Sequence, residues 1–267
     1  MKHPKHKHAT KLPLLYLGIV DFDSAIYRCA AVHEEDDHGL PSAQNTLNDF
    51  VMNDIVERTR CQKYVFITTG PENFRREIAV TKAYKGHRQV EKPQHYQALF
   101  EWAILKYNCL ISENMEADDW AVNLHQKYQG SSVLLGIDKD NIQSAGWHYN
   151  YVTNKPFFIT PAEAQWSLAY QMLAGDPGDN IQGLYRIGDA KAQAFLDEGD
   201  KLEVPPMATV WKVYKQLGHT WEFYKEQYRL LYMLRDTMID FESSFVELKP
   251  FNPYEDSDED GFIGIDL

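Results

Sequence analysis

Leu173 to Leu196 reads LAGDPGDNIQGLYRIGDAKAQAFL. Its first half sets two carboxylates, Asp176 and Asp179, three residues apart among Gly175, Pro177 and Gly178, residue types that stop a helix and turn the backbone. Acids held on such a turn can converge on a cation. The second half, Gly183-Leu184-Tyr185-Arg186-Ile187-Gly188, leads into an apolar helical pattern, and glycines there let backbone N–H groups approach a phosphate beside a helix N-terminus. One segment thus offers a metal corner next to a phosphate seat. An acidic loop joining two helices accounts for the same letters equally well, so the surrounding chain has to decide.

Working outward, acids recur where a parallel sheet would gather them. Leu14 to Val20, LLYLGIV, is a short continuous apolar run of the kind buried on both sheet faces, and it ends at Asp21 and Asp23. Lys63 to Thr69, KYVFITT, is a second such strand, ending at Gly70. Asn108 to Ser112 is a brief third, followed by Glu116, Asp118 and Asp119 at the start of a helix; Ser132 to Ile137 runs into Asp138-Lys139-Asp140. In open α/β sheets, ligands bind outside the carboxyl ends of the strands. Apolar spacing predicts helices over Ser24–Val32, Thr46–Arg60, Pro93–Lys106, Ala208–Leu217 and Trp221–Arg235. Thr160 as N-cap, Pro161 in the first turn and Glu163 as capping-box partner start another, running to about Leu173. Alternating aromatics from Gly146 to Ile159, with a turn at Thr153-Asn154-Lys155-Pro156, predict a peripheral hairpin. The fold class is α/β: a central, mostly parallel sheet flanked by helices, followed by a mainly helical second half.

Composition narrows the function. The chain has 267 residues, 44% of them hydrophobic, enough for a sizeable core, and no apolar run nears the roughly 20 residues that span a bilayer. Cys29, Cys61 and Cys109 sit in or beside apolar segments without C-x-x-C spacing; they read as reduced core thiols, and with no secretory signal pattern the expected location is cytoplasmic. The net charge of −12 runs against simple phosphate neutralisation, but Glu255, Asp256, Asp258, Glu259, Asp260 and Asp266 carry half of it. Residues 1–13 are a His-rich basic arm or tag expected to be disordered, and residues 249–267 an acidic tail. Between them, Arg75, Arg76, Lys82, Lys85, Arg88 and Lys92 form a basic run interleaved with Phe74 and Tyr84, able to follow a phosphate backbone while a ring stacks on a base. A solvated helix surface is the bland alternative. Hard carboxylate oxygens without cysteine favour Mg²⁺ or Mn²⁺ over zinc.

The order GD-x-x-DNI-x-G-x-x-x-IG-x-x-K from Gly175 to Lys191, E-A-D-D at Glu116–Asp119, D-K-D at Asp138–Asp140 and Y-K-x-x-R at Tyr84–Arg88 together resemble the flap endonuclease and 5′→3′ exonuclease family. That family includes bacteriophage exonucleases, which are closest in layout, and the nuclease domain of bacterial DNA polymerase I. The resemblance covers roughly Leu14 to Leu196. It implies a PIN-like flap nuclease core over residues 14–160, with a helical arch at about 72–95, and a helix-three-turn-helix DNA-binding element within residues 161–248. By the same resemblance, Asp21, Glu116 and Asp118 would hold an inner metal, with Asp119, Asp138, Asp140, Asp176 and Asp179 completing, directly or through water, a site for two or more divalent ions. Lys85 and Arg88 would contact the scissile phosphate and act as the catalytic cations. Tyr84 would stack on the terminal nucleotide, Arg75 and Arg76 would meet DNA, and Gly183, Arg186, Gly188 and Lys191 would grip duplex phosphates, where the family also binds K⁺. Two positions depart from the pattern: Arg186 stands where the family usually has glycine, and Gly70 where it has an acid.

The expected function is hydrolysis of DNA at or near 5′ ends, flaps or RNA–DNA junctions during phage replication, with the acidic tail as a contact for a replication protein. A structure-specific DNA binder that has lost cleavage is the alternative. A haloacid dehalogenase-type phosphatase with Asp21 as nucleophile would leave E-A-D-D and Y-K-x-x-R unexplained.

Overall fold

The computed structural model describes residues 9–35, 38–87, 91–234 and 246–248. Strand β1 (Leu17–Asp21) is buried along its whole length. It pairs in parallel with β2 (Lys63–Thr69) on one side and β4 (Ser132–Leu135) on the other, while β3 (Leu110–Ser112) extends the sheet beyond β2. Beyond β4 come β5 (Gly146–Asn150), parallel, and β6 (Lys155–Ile159), antiparallel, giving the order β3-β2-β1-β4-β5-β6. The sheet is therefore mixed and mostly parallel, as the apolar runs predict. The aromatic stretch forms the expected hairpin at its edge.

The two-residue period of the strands sorts the core. Tyr64 and Phe66 face a cluster built with α1 (Asp23–Val32), α2 (Gly39–Asp49) and α5 (Tyr96–Tyr107), whereas Val65 and Ile67 pack with Leu17 and Ile19 against α6 (Ala117–Lys127). Gly18 is required on the first face, because a Cβ there would lie 2.6 Å from the Tyr64 ring. The predicted helix at Thr46–Arg60 begins earlier, at Gly39, and its middle, Phe50–Val56, is wound as a π-helix before closing in the short α3 (Glu57–Thr59).

In the stretch expected to form a helical arch, the described residues hold one four-residue helix, α4 (Arg75–Ile78), and a turn at residues 84–87. The helical second half consists of α7 (Pro161–Ala174), α8 (Asp189–Lys201), α9 (Pro206–Gln216) and α10 (Trp221–Leu231), which share an apolar cluster centred on Leu173, Leu184, Leu196 and Tyr214. The capping box at the start of α7 is formed as the sequence predicts, with Thr160 accepting from the Glu163 N–H. The basic arm before Ala9, Arg88 and the acidic tail from residue 249 lie outside the described residues.

Candidate metal centre

Parallel register brings the carboxyl ends of β1 and β4 to the same edge. Asp21 is the last residue of β1 and only 6% exposed. The chain leaving β4 passes so close that a Cβ on Gly136 would stand 3.5 Å from the Asp21 Cβ and 2.8 Å from the Asn141 amide nitrogen. It then turns at Asp138, whose Oδ1 caps a 3-10 turn by accepting the Asp140 N–H at 2.8 Å. Glu116 is the N-cap of α6, so the positive end of the helix dipole favours both it and Asp118.

From the opposite side, α7 stops at Gly175, which has φ +76°, and a two-stranded ribbon follows. Its strands β7 (Gly175–Asp176) and β8 (Ile181–Gln182) pair antiparallel around a 3-10 turn that carries Asp179. Asp176 is buried, its Oδ1 held by the Gly178 N–H at 2.9 Å. Ligand oxygens of Asp140, Asp176 and Asp179 all lie within 4.8 Å of one another.

Side chains from the turn at residues 84–87 bridge the two halves. The Tyr84 hydroxyl reaches Glu116 Oε2 and Asp179 Oδ2, each at 2.7 Å. Lys85 pairs with Glu116 and lies 3.6 Å from Asp179 Oδ1. Lys139, between the two acids of D-K-D, places Nζ 2.5 Å from Asp176 Oδ2 and 3.9 Å from Asp140 Oδ1.

Electrostatics tie these acids into one pocket. Burial pushes the Asp21 carboxyl well above the usual range, and Asp23, Asp138 and Glu116 raise it further. Asp118 is driven the same way by burial and then by Glu116, Asp119 and Asp138. Burial and Asp138 lift Asp140 to about 8. Burial alone would also raise Glu116, but the Lys85 ammonium and the Tyr84 hydroxyl outweigh it and hold that carboxyl below its ordinary value. So many carboxylates crowded out of water are costly unless cations share the space. In addition, the Asn141 amide beside Asp21 is 2% exposed, and among the described residues neither its oxygen nor its nitrogen has a hydrogen-bond partner. Oxygen donors, excess negative charge and an orphaned amide fit a hard divalent cation.

Asp119, Arg75, Tyr84 and Gly183 do something other than expected. The Asp119 carboxylate is fully buried and grips Arg75 in a fork, with Nη1–Oδ2 at 2.5 Å and Nη2–Oδ1 at 2.7 Å, while also accepting the backbone N–H groups of Glu116 and Leu234. Arg75, 1% exposed, also donates to the carbonyls of Leu230 and Tyr232. This buried pair locks α4, α6 and the end of α10 together, which removes Asp119 from the metal set and Arg75 from the DNA surface. Tyr84 is 6% exposed and packed in the helical cluster, so no ring face is open to a base. Gly183 serves the ribbon, since a Cβ there would collide with the Ala174 carbonyl.

Arg76, Arg186, Gly188 and Lys191 are on the surface. Gly188 is the N-cap of α8, with no side-chain cap and open space where a Cβ would stand. Arg186 has φ +59°, a left-handed conformation that explains why glycine suits this position. Asp23, the second member of the first carboxylate pair in the sequence, sits against Asp21 and Glu116 in the same field.

No protein-family model matches the chain. Over 100 residues it is 34% identical to a thermostable DNA polymerase I of Thermus thermophilus, a stretch covering 33% of this chain and 12% of that polymerase. A bacteriophage T5 flap endonuclease, solved as a pseudo-enzyme–product complex with DNA and metal ions, superposes with a TM-score of 0.57 at 16% identity, covering 81% of this chain and 86% of its own. The catalytic core of Rad2 in complex with DNA substrate gives 0.53 at 13% identity, over 89% and 82%. In its mixed sheet, flanking helices and chain path, this protein has the fold of the 5′-exonucleases and flap endonucleases.

Proposed function

We propose that this protein is a divalent-metal-dependent nuclease that hydrolyses DNA phosphodiester bonds at or near 5′ ends, as a 5′→3′ exonuclease or flap endonuclease, and that it serves phage DNA replication. The observation that carries this reading is the meeting of Asp21, Glu116, Asp118, Asp138, Asp140, Asp176 and Asp179 at one edge, with Lys85 held over them. Asp21, Glu116 and Asp118 would hold one ion and Asp138, Asp140, Asp176 and Asp179 another. Such ions supply Lewis-acid polarisation of the phosphate and lower the pKa of water. Lys85, released from Glu116 as positive charge enters the pocket, would turn its ammonium to the phosphate and offset charge that develops there. Arg186, Lys191 and the open N-terminus of α8 would grip duplex phosphates away from the cut, where a K⁺ ion would share the load. Arg88 belongs to the same proposal through the resemblance alone.

A DNA binder without cleavage is the second reading, favoured by one observation: a side chain at position 70, where the resemblance expects an acid, would collide with the Ser112 carbonyl. Incubating a 5′-labelled flap and a 5′-labelled duplex with protein and Mg²⁺ separates the two. Shortening of the labelled strand that disappears in Asp118→Asn supports the nuclease; intact strands with retained binding support the second reading.

A further inference from the structure

Asp23 opens α1 two residues after Asp21, and its carboxylate accepts the Thr69 N–H at the end of β2, at 3.0 Å on Oδ2 and 3.2 Å on Oδ1. The Thr69 hydroxyl in turn accepts the N–H of Ala117, the first residue of α6, at 2.9 Å. The end of β2 is thus tied on one side to Asp23 and on the other to the helix that carries Glu116 and Asp118. The next residue, Gly70, donates to Ser112 Oγ and cannot bear a side chain. β2 therefore has no carboxylate of its own to offer at this edge. Among the described residues, no ion pair reaches Asp23. The Thr69 N–H and hydroxyl together take up only part of the acceptor capacity of the two Asp23 oxygens, and lone pairs remain for a further partner.

We infer that Asp23 is a further ligand of the metal centre, direct or through one water, and supplies from the first turn of α1 the carboxylate that β2 cannot carry at Gly70. This rests on the metal-centre reading above.

The competing explanation is a purely structural tie between α1 and β2, and Asp23→Asn separates the two, because asparagine keeps an oxygen for the Thr69 N–H but loses the charge. Calorimetric titration of Mn²⁺ into the metal-free variant is expected to show at least about ten-fold weaker binding than wild type, with little change in the melting temperature without metal. Binding within about three-fold of wild type overturns the inference. Asp21→Asn is the control: if it too binds Mn²⁺ like wild type, the metal centre itself fails, whereas loss in Asp21→Asn with retention in Asp23→Asn sinks only the role of Asp23. Should Asp23→Asn not fold, anomalous diffraction from wild-type crystals soaked in Mn²⁺ decides. A peak in contact with Asp23 or one water away supports the inference, and a peak more remote than that refutes it.

Discussion

His125 shows how a single buried side chain couples this fold to pH. It is fully buried on α6, with Nδ1 2.8 Å from Ser144 Oγ, and its ring stands edge-on to His148 at 5.1 Å. Nε2 has no partner. Burial, and then His148, push the imidazole well below its ordinary value of 6.5. The folded state therefore refuses a proton that the unfolded chain accepts, so this residue's contribution is intact above pH 6.5 and lost as pH falls below it. Going from pH 7.5 to 5.5, wild type should lose about 1.4 kcal/mol more than His125→Gln, measured as the difference between their urea unfolding free energies at the two values. Equal losses would mean that the ring is protonated while folded. Arg75 and Asp119 make a different point at the same scale: two residues whose types suggest DNA and metal are used up on each other, because a buried charge demands its partner nearby.

Among elements, the β7–β8 ribbon and the start of α8 bear most directly on DNA. Gly175 and Gly183 approach each other too closely for any Cβ, which turns the chain sharply enough to keep Asp176 and Asp179 in the pocket. Arg186 sits in the left-handed region at the outer bend, its guanidinium 5.0 Å from the Tyr185 ring centre, and both side chains are exposed. Arg186→Gly would relieve strain of about 1 kcal/mol but add a similar amount of unfolded-chain entropy, so the melting temperature should hardly move. Duplex affinity should fall instead, and the slope of log affinity against log salt should shrink by about 1, as for one lost phosphate contact. Anisotropy of a labelled duplex across a salt series tests this; an unchanged slope would place Arg186 off the DNA. The segment between α4 and Tyr84 is anchored by Glu226 of α10, which accepts the Val80 and Thr81 N–H groups at 2.8 and 2.6 Å. That anchor leaves Tyr84 and Lys85 to the acids.

For the molecule as a whole, acids from Asp21 to Asp179 meet only when the sheet and the helical half are both folded, so the unfolded chain has no comparable site. A cation that binds only the folded state stabilises it by mass action, by about 2.7 kcal/mol at one hundred times its dissociation constant. Thermal melts should therefore rise on adding Mg²⁺ and fall back with EDTA. NaCl at equal ionic strength should not substitute, and Asp118→Asn should blunt the rise. A melting temperature indifferent to Mg²⁺ would argue against a metal site at this edge. No described helix is long and apolar enough to cross a membrane, and two cavities, of about 410 and 450 Å³, lie beside the π-helix and under α10.

What the sequence determined by itself is local in origin: continuous apolar runs specified the buried strands, the Thr160 and Glu163 capping pair set the start of α7, and acids placed just past strand ends were bound to share an edge once the strands ran parallel. Spacing also announced the hairpin at Gly146–Ile159. What only the tertiary structure decided was the division of labour among like residues, because it depends on contacts between segments far apart in the chain. Asp118 and Asp119 are adjacent letters, yet packing turns one toward the other acids and the other onto Arg75, 44 residues away. Likewise Tyr84 is withdrawn from the surface by the helical cluster, and Asp23 is drawn to β2 by an N–H that no pattern in its own segment reveals.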